Sequence, residues 1–151
     1  RSSLFIMQLS SAQLPESLER VVRRLQRLSE PKQRYEQLIL YGQKLQAFPA
    51  EAKVPENKVP GCVSQVYVTA TLDPEGGVVY SGESDALISK GFVGLLAIGM
   101  NGLTPAEIQA LSADFIKDTG LSVSLTPSRA NGFINVFKKM QEQAAVLIPN
   151  T

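Results

Sequence analysis

The chain has 151 residues, the length of one domain of common size, and its 44% hydrophobic and 19% charged residues exclude compositional disorder. Lys plus Arg number 15 against 14 Asp plus Glu, and a net charge of +1 supplies no general pull toward nucleic acid or a membrane surface. With no His and one Cys, the chain holds no Ser-His-Asp or Cys-His arrangement, no HExxH zinc site, no internal disulfide and no all-cysteine cluster cage.

Arg1 to Met7 holds too small an apolar stretch for a secretory hydrophobic region, and residues 1–11 are expected to be a disordered N-terminal remnant, with a single domain over 12–148. Leu14, Leu18, Val21, Val22, Leu25 and Leu28 recur at helical spacing behind Pro15, which predicts an amphipathic helix with Arg20, Arg23, Arg24 and Arg27 on its outer face. That face is either a docking patch or an ordinary solvated one. Pro31 opens a second helix with an inner stripe of Tyr35, Leu38, Ile39, Gly42 and Leu45. The two make a helical hairpin. From Ala47 to Gly61 the periodicity stops, and Pro49, Pro55 and Pro60 predict a long loop that ends on Cys62.

Val66, Val68, Ala70 and Leu72 alternate with polar neighbours, the period of a half-buried strand. Asp73-Pro74-Glu75-Gly76-Gly77 is a turn, and Val78 to Ser81 is the returning strand. Gly82 to Asp85 supplies N-cap candidates for a helix over Ala86 to Gly99, whose apolar residues surround the axis and place it in the core. Thr104-Pro105-Ala106-Glu107 spells a capping box, short helices follow to Asp118, and Gly120 breaks them. Thr126-Pro127-Ser128 begins the last helix, with Phe133, Val136, Phe137, Met140 and Ala144 facing the core. The fold class is therefore α+β: a helical hairpin and a small antiparallel β-sheet after the cysteine loop, covered by a buried helix and a long C-terminal helix. The longest apolar run, Gly91 to Met100, has ten residues, against roughly 20 for a membrane span.

Cys62 is either a buried small hydrophobe or a reactive thiol on a loop; Pro60-Gly61 before it favours the loop. Without histidine, its thiolate would draw on Lys58, an arginine brought in by the fold, or backbone amides of the Gly61 turn. Arg129 stands in the first turn of a helix, where the dipole opposes a cation, and is either solvent-exposed or paired with an acid or a partner. Asp85 is an N-cap or a functional acid, and Lys90 either snorkels outward or pairs with Glu83 or Asp85. No GxGxxG, GxxxxGK[ST] or paired-carboxylate signature is present. A lone cysteine fits a reducing compartment, the cytoplasm or alternatively a plastid stroma.

The run Glu30-Pro31-Lys32-Gln33-Arg34-Tyr35, then Val59-Pro60-Gly61-Cys62-Val63-Ser64-Gln65-Val66-Tyr67, Ser84-Asp85-Ala86 with Lys90-Gly91, and Thr126-Pro127-Ser128-Arg129 resembles the SufE family of sulfur-acceptor proteins. The look is closest to cyanobacterial and plastid members, and the fold implied is SufE/NifU-like. Tyr67 stands where many members carry tryptophan. The resemblance implies that Cys62 takes persulfide sulfur from a SufS-type cysteine desulfurase, stimulates it, and passes the sulfur to a SufBCD-type scaffold for iron–sulfur cluster assembly. It implies an accessory protein, not a self-contained enzyme, with no bound cofactor of its own; the desulfurase uses pyridoxal phosphate. Gly61, Ser64 and Gln65 then belong to the cysteine loop, Asp85 helps to hold it, Lys90 supports it and Arg129 meets the partner. Val59 and Val63 are expected to line an apolar recess for the sulfur. The chain is expected to be a monomer or weak dimer. The alternatives are an iron–sulfur scaffold of related fold and a noncatalytic binding module.

Overall fold

In the computed structural model, which describes residues 14–148, the first two helices follow the apolar spacing. Helix α1 (Glu16–Gln26) buries Leu18, Val21, Val22 and Leu25, while Arg20 and Arg23 pair outward with Glu16 and Glu19 one turn earlier. Those i,i+4 pairs hold Arg20 and Arg23 in solvent, while Arg24 Nε donates to Gln37 Oε1 of the next helix at 2.9 Å. Helix α2 (Pro31–Gln43) starts from a capping box in which the Glu30 amide donates to Gln33. Its buried stripe differs from the expectation: Leu38, Tyr41 and Gly42 are inside, Tyr35 and Leu45 are partly buried, and Ile39 lines a cleft beside Cys62. The expected remnant over residues 1–11, and the start of the domain at residue 12, lie outside the described residues.

The segment between α2 and the cysteine is less open than its three prolines suggest. It contains two 3-10 turns, Ala50–Ala52 and Pro55–Asn57, each beginning at or just after a proline, and Asn57 Nδ2 ties them by donating to the Ala52 carbonyl at 2.9 Å. Lys58 then bridges Tyr67. Strands β1 (Val66–Leu72) and β2 (Val78–Ser84) pair antiparallel from Val66↔Ser84 to Leu72↔Val78. The hairpin turn closes on Asp73 Oδ1, which accepts the amides of Glu75 and Gly77 at 2.9 and 2.8 Å. Strand β2 runs three residues past Ser81, so Gly82, Glu83 and Ser84 pair with β1 and do not cap a helix. Glycine is required there: a Cβ on Gly82 would lie 2.5 Å from Val93 Cγ1.

Helix α3 (Leu87–Met100) is buried from Gly91 through Ala97 and crosses α2 closely. A Cβ on Gly91 would come within 2.5 Å of the Leu38 carbonyl oxygen, and one on Gly94 would overlap that of Tyr41. The N-cap of α3 is Ala86, with no side-chain cap, so the expected capping role of Asp85 is not found. Helix α4 (Pro105–Gln109) has the Thr104/Glu107 capping box in both directions. A 3-10 turn over Ala113–Thr119 ends at Gly120, whose φ of +82° is the left-handed conformation that glycine adopts without strain. Helix α5 (Leu121–Ser124) leads to α6 (Pro127–Val146), where Thr126 Oγ1 accepts the Arg129 amide. Phe133, Val136, Phe137, Met140 and Ala144 are all buried, and Phe133 meets Phe92 edge-to-face at 5.5 Å between ring centres. With α3 against β2 and α6 against β1, the architecture is α+β, and the cysteine loop lies against residues near the starts of both helices.

Candidate functional site at Cys62

The loop between Val59 and Gln65 is fixed at each end and in the middle. Val59 is buried in the core and its amide donates to the Val66 carbonyl at 2.8 Å. Gly61 turns with φ +76°, and its carbonyl accepts Asn135 Nδ2 from α6 at 3.2 Å. Ser64 Oγ and Ser89 Oγ of α3 share a hydrogen bond at 2.8 Å. Gln65 and Asp85 are doubly joined: the Gln65 amide donates to Asp85 Oδ1 at 3.0 Å, and the Asp85 amide donates to the Gln65 carbonyl at 3.3 Å. The loop is a strap tied to α6, to α3 and to the end of β2.

Cys62 is half-buried between exposed Gly61 and exposed Val63, and its Sγ lies 4.0 Å from the carbonyl oxygen of Gly132 on α6. Burial pushes the thiol pKa up, with no cation pulling it down. A carbonyl dipole beside the sulfur also favours the thiol over the thiolate. The thiol opens on a cleft of about 570 Å³, with Ile39, Leu87, Ile88 and Phe92 forming apolar wall and Ser128 and Arg129 on the α6 side. Arg129 is exposed, and among the described residues no acid forms an ion pair with it.

Cys62, Ser64 and Arg129 therefore meet at one cleft, while Gly61, Gln65 and Asp85 set the course of the loop. Lys90 stands apart, paired with Glu83 at 3.3 Å, and Asp85 is engaged with Gln65 instead. The expected lining is corrected at Val59 and holds at Val63. Val59 faces the core at 1% exposure, and Val63, 95% exposed, stands on the lip. Ser89, Phe92, Gly132 and Asn135 are absent from the sequence-based site. A signal for two of them exists, since Arg129, Gly132 and Asn135 follow one another at intervals of three and so share one face of α6. Among the described residues no cluster of His, Cys, Asp or Glu could hold a metal ion, and no helix is long and apolar enough to cross a membrane.

This small α+β domain with a strapped cysteine is a protein of iron–sulfur metabolism: the family model SufE, an Fe-S metabolism associated domain, matches residues 19–144. The chain belongs to the SufE family. It is 57% identical over 136 residues to an uncharacterized SufE-like protein of Synechocystis sp., covering 90% of this chain and 85% of that one. It is 45% identical to SufE-like protein 1, chloroplastic/mitochondrial, of Arabidopsis thaliana, over 87% of this chain and 36% of the relative. It is 36% identical to the cysteine desulfuration protein SufE of Plasmodium falciparum, over 75% of this chain and 47% of the relative. The chain thus spans about a third and about half of the last two proteins. The solution structure of a hypothetical protein from Thermus thermophilus has the same fold, with a TM-score of 0.77 at 24% identity over 90% of this chain and 98% of that one.

Proposed function

We propose that the protein is a sulfur acceptor that takes persulfide sulfur from a SufS-type cysteine desulfurase onto Cys62, stimulates that enzyme by clearing it, and passes the sulfur to a SufBCD-type scaffold. The observation that carries this reading is the single cysteine, held by a strap at the mouth of an apolar cleft beside an arginine that forms no ion pair among the described residues. In the transfer, the Cys62 thiolate attacks the terminal sulfur of the enzyme's cysteine persulfide. A new S–S bond forms on Cys62, the old S–S bond breaks, and the enzyme's cysteine leaves as thiolate. The sulfane sulfur keeps its oxidation state, so the step needs no oxidant or reductant.

The raised thiol pKa fits a carrier activated by its partner. Docking that lifts Cys62 from the Gly132 carbonyl and brings in a cation or amide donors removes both influences that keep it protonated. Arg129, opposed by the α6 dipole and free on the cleft rim, is the residue we assign to the partner's acidic group or to the leaving thiolate. No resident cofactor or metal is part of this reading, and the protein works in a reducing compartment, the cytoplasm or a plastid stroma. Desulfurase turnover, followed as alanine released from cysteine, tests it. Turnover rises with the wild-type protein and stays basal with Cys62→Ser, whereas equal stimulation by the variant would overturn the assignment.

A further inference from the structure

Five glycines lie within helices α2, α3 and α6, and four are explained by crowding. A Cβ would meet backbone of α3 at 3.0 Å from Gly42, the Leu38 carbonyl at 2.5 Å from Gly91, the Tyr41 carbonyl from Gly94, and Leu18 Cδ1 at 2.5 Å from Gly99. Gly132 is different. A Cβ there would meet Phe92 Cε2 alone, at 3.9 Å, an ordinary contact distance. Its φ is not positive, so the backbone does not require glycine either. In the interior of a helix, alanine at such a position is more stable than glycine by about 0.5–1 kcal/mol. Neither packing nor backbone accounts for the absent side chain.

The place of Gly132 does. It lines the Cys62 cleft, its carbonyl oxygen is 4.0 Å from Cys62 Sγ, and Phe92, the one residue near its missing methyl, lines the same cleft. We propose that the space left by Gly132 is the seat of the terminal sulfur of the Cys62 persulfide, with the Phe92 ring edge as its apolar wall. A persulfide extends Sγ by one S–S bond of about 2.05 Å. An added methyl on the facing helix would take up room that this second sulfur uses, while the shorter thiol would be unaffected. Seated there, the sulfane sulfur is turned from bulk solvent and from stray thiols. This inference rests on the sulfur-acceptor reading and adds a residue that distinguishes the loaded from the unloaded cysteine.

The test compares wild type with Gly132→Ala in three readouts: melting temperature, alkylation of the reduced thiol by iodoacetamide, and the persulfide formed with desulfurase and cysteine, followed by intact mass without reductant and challenged with glutathione. The expected result is a melting temperature equal to or above wild type, unchanged alkylation, and a persulfide that forms more slowly or is lost to glutathione faster by about tenfold, the order of effect that one methyl has in a filled site. Loading and lifetime equal to wild type would overturn the proposal. A fall in melting temperature would overturn it too, by showing that the fold itself requires glycine. Failure of the underlying reading looks different, because wild type itself would then gain no sulfur.

Discussion

Asn135 Nδ2 on α6 donates to the carbonyl oxygen of Gly61 at 3.2 Å, and a Cβ on Gly61 would lie 2.8 Å from that same nitrogen. A side chain at Gly61 would thus displace the amide that holds the turn before Cys62, and the positive φ there is what favours glycine. Gly61→Ala is expected to lower stability by about 1–2 kcal/mol, the cost of a left-handed L-residue, because φ there is +76°. Asn135→Ala removes one partly exposed bond, about 0.5–1.5 kcal/mol, and frees the strap. Urea unfolding gives the stability, and faster iodoacetamide alkylation of Cys62 in Asn135→Ala reports the freed loop; an unchanged alkylation rate would mean that the other ties suffice.

Cys62 has a pH signature with a definite sign. Burial raises its pKa, so the folded state binds the thiol proton more tightly than the unfolded one. Its contribution to stability is complete below the unfolded value of about 8.5 and is lost as pH rises through the higher folded value. Alkylation of the free protein should accelerate only above the ordinary cysteine range, with a midpoint that falls on unfolding in urea. Addition of the desulfurase, with its own cysteine replaced by alanine, should move the midpoint down. A midpoint at the ordinary value in the free protein would contradict the burial argument.

Tyr80 adds a second alkaline limit. It is buried, its hydroxyl donates to the Met140 carbonyl at 2.6 Å, and burial pushes its pKa up. Stability held by the neutral phenol is whole below the unfolded value of about 10 and is lost above it. Tyr80→Phe should flatten the stability loss at alkaline pH while costing about 0.5–1.5 kcal/mol at neutral pH, because the Met140 carbonyl loses the phenol and keeps its place in the helix ladder. Denaturant melts at neutral and alkaline pH measure both effects.

Arg129→Ala separates partner binding from folding. The guanidinium is exposed, has no acidic partner among the described residues, and opposes the dipole of α6. Its removal should leave stability unchanged or raise it by about 0.3–1 kcal/mol, while stimulation of the desulfurase falls. Parallel losses in melting temperature and stimulation would instead assign Arg129 to the fold.

Gly94→Ala tests the crossing that shapes the cleft wall. Its Cβ would overlap the Tyr41 carbonyl of α2, and neither backbone can yield without moving Ile39 and Phe92 on the two helices. A loss of about 1–3 kcal/mol or more is expected from forcing α2 and α3 apart, measured by chemical denaturation.

Helical periodicity makes the helices legible, because Leu18 to Leu25 and Phe133 to Ala144 each present one apolar stripe to one core. It fails where two influences overlap. Ile39 has the spacing of a core residue beside Leu38, yet it sits on the edge of the stripe, where α2 turns from α3 to the cleft. Gly82, Glu83 and Ser84 are residue types that favour caps, but pairing with Val68, Tyr67 and Val66 outweighs that local preference. Within the site, Cys62, Asp85 and Arg129 are visible through the family motifs. The contacts of Asn135 with Gly61 and of Ser64 with Ser89 depend on how α6 and α3 are placed against the loop, across 74 and 25 residues. No local pattern encodes such distances.

Every step of the proposed transfer depends on sulfur residing on Cys62. Incubation of the protein with a SufS-type desulfurase and cysteine, followed by intact mass measured without reductant, decides whether it does. The wild-type chain is expected to gain one sulfur, removed by reductant and absent from Cys62→Ser. A wild-type mass that stays unchanged while the desulfurase turns over, or the same adduct on Cys62→Ser, would refute sulfur carriage by this cysteine.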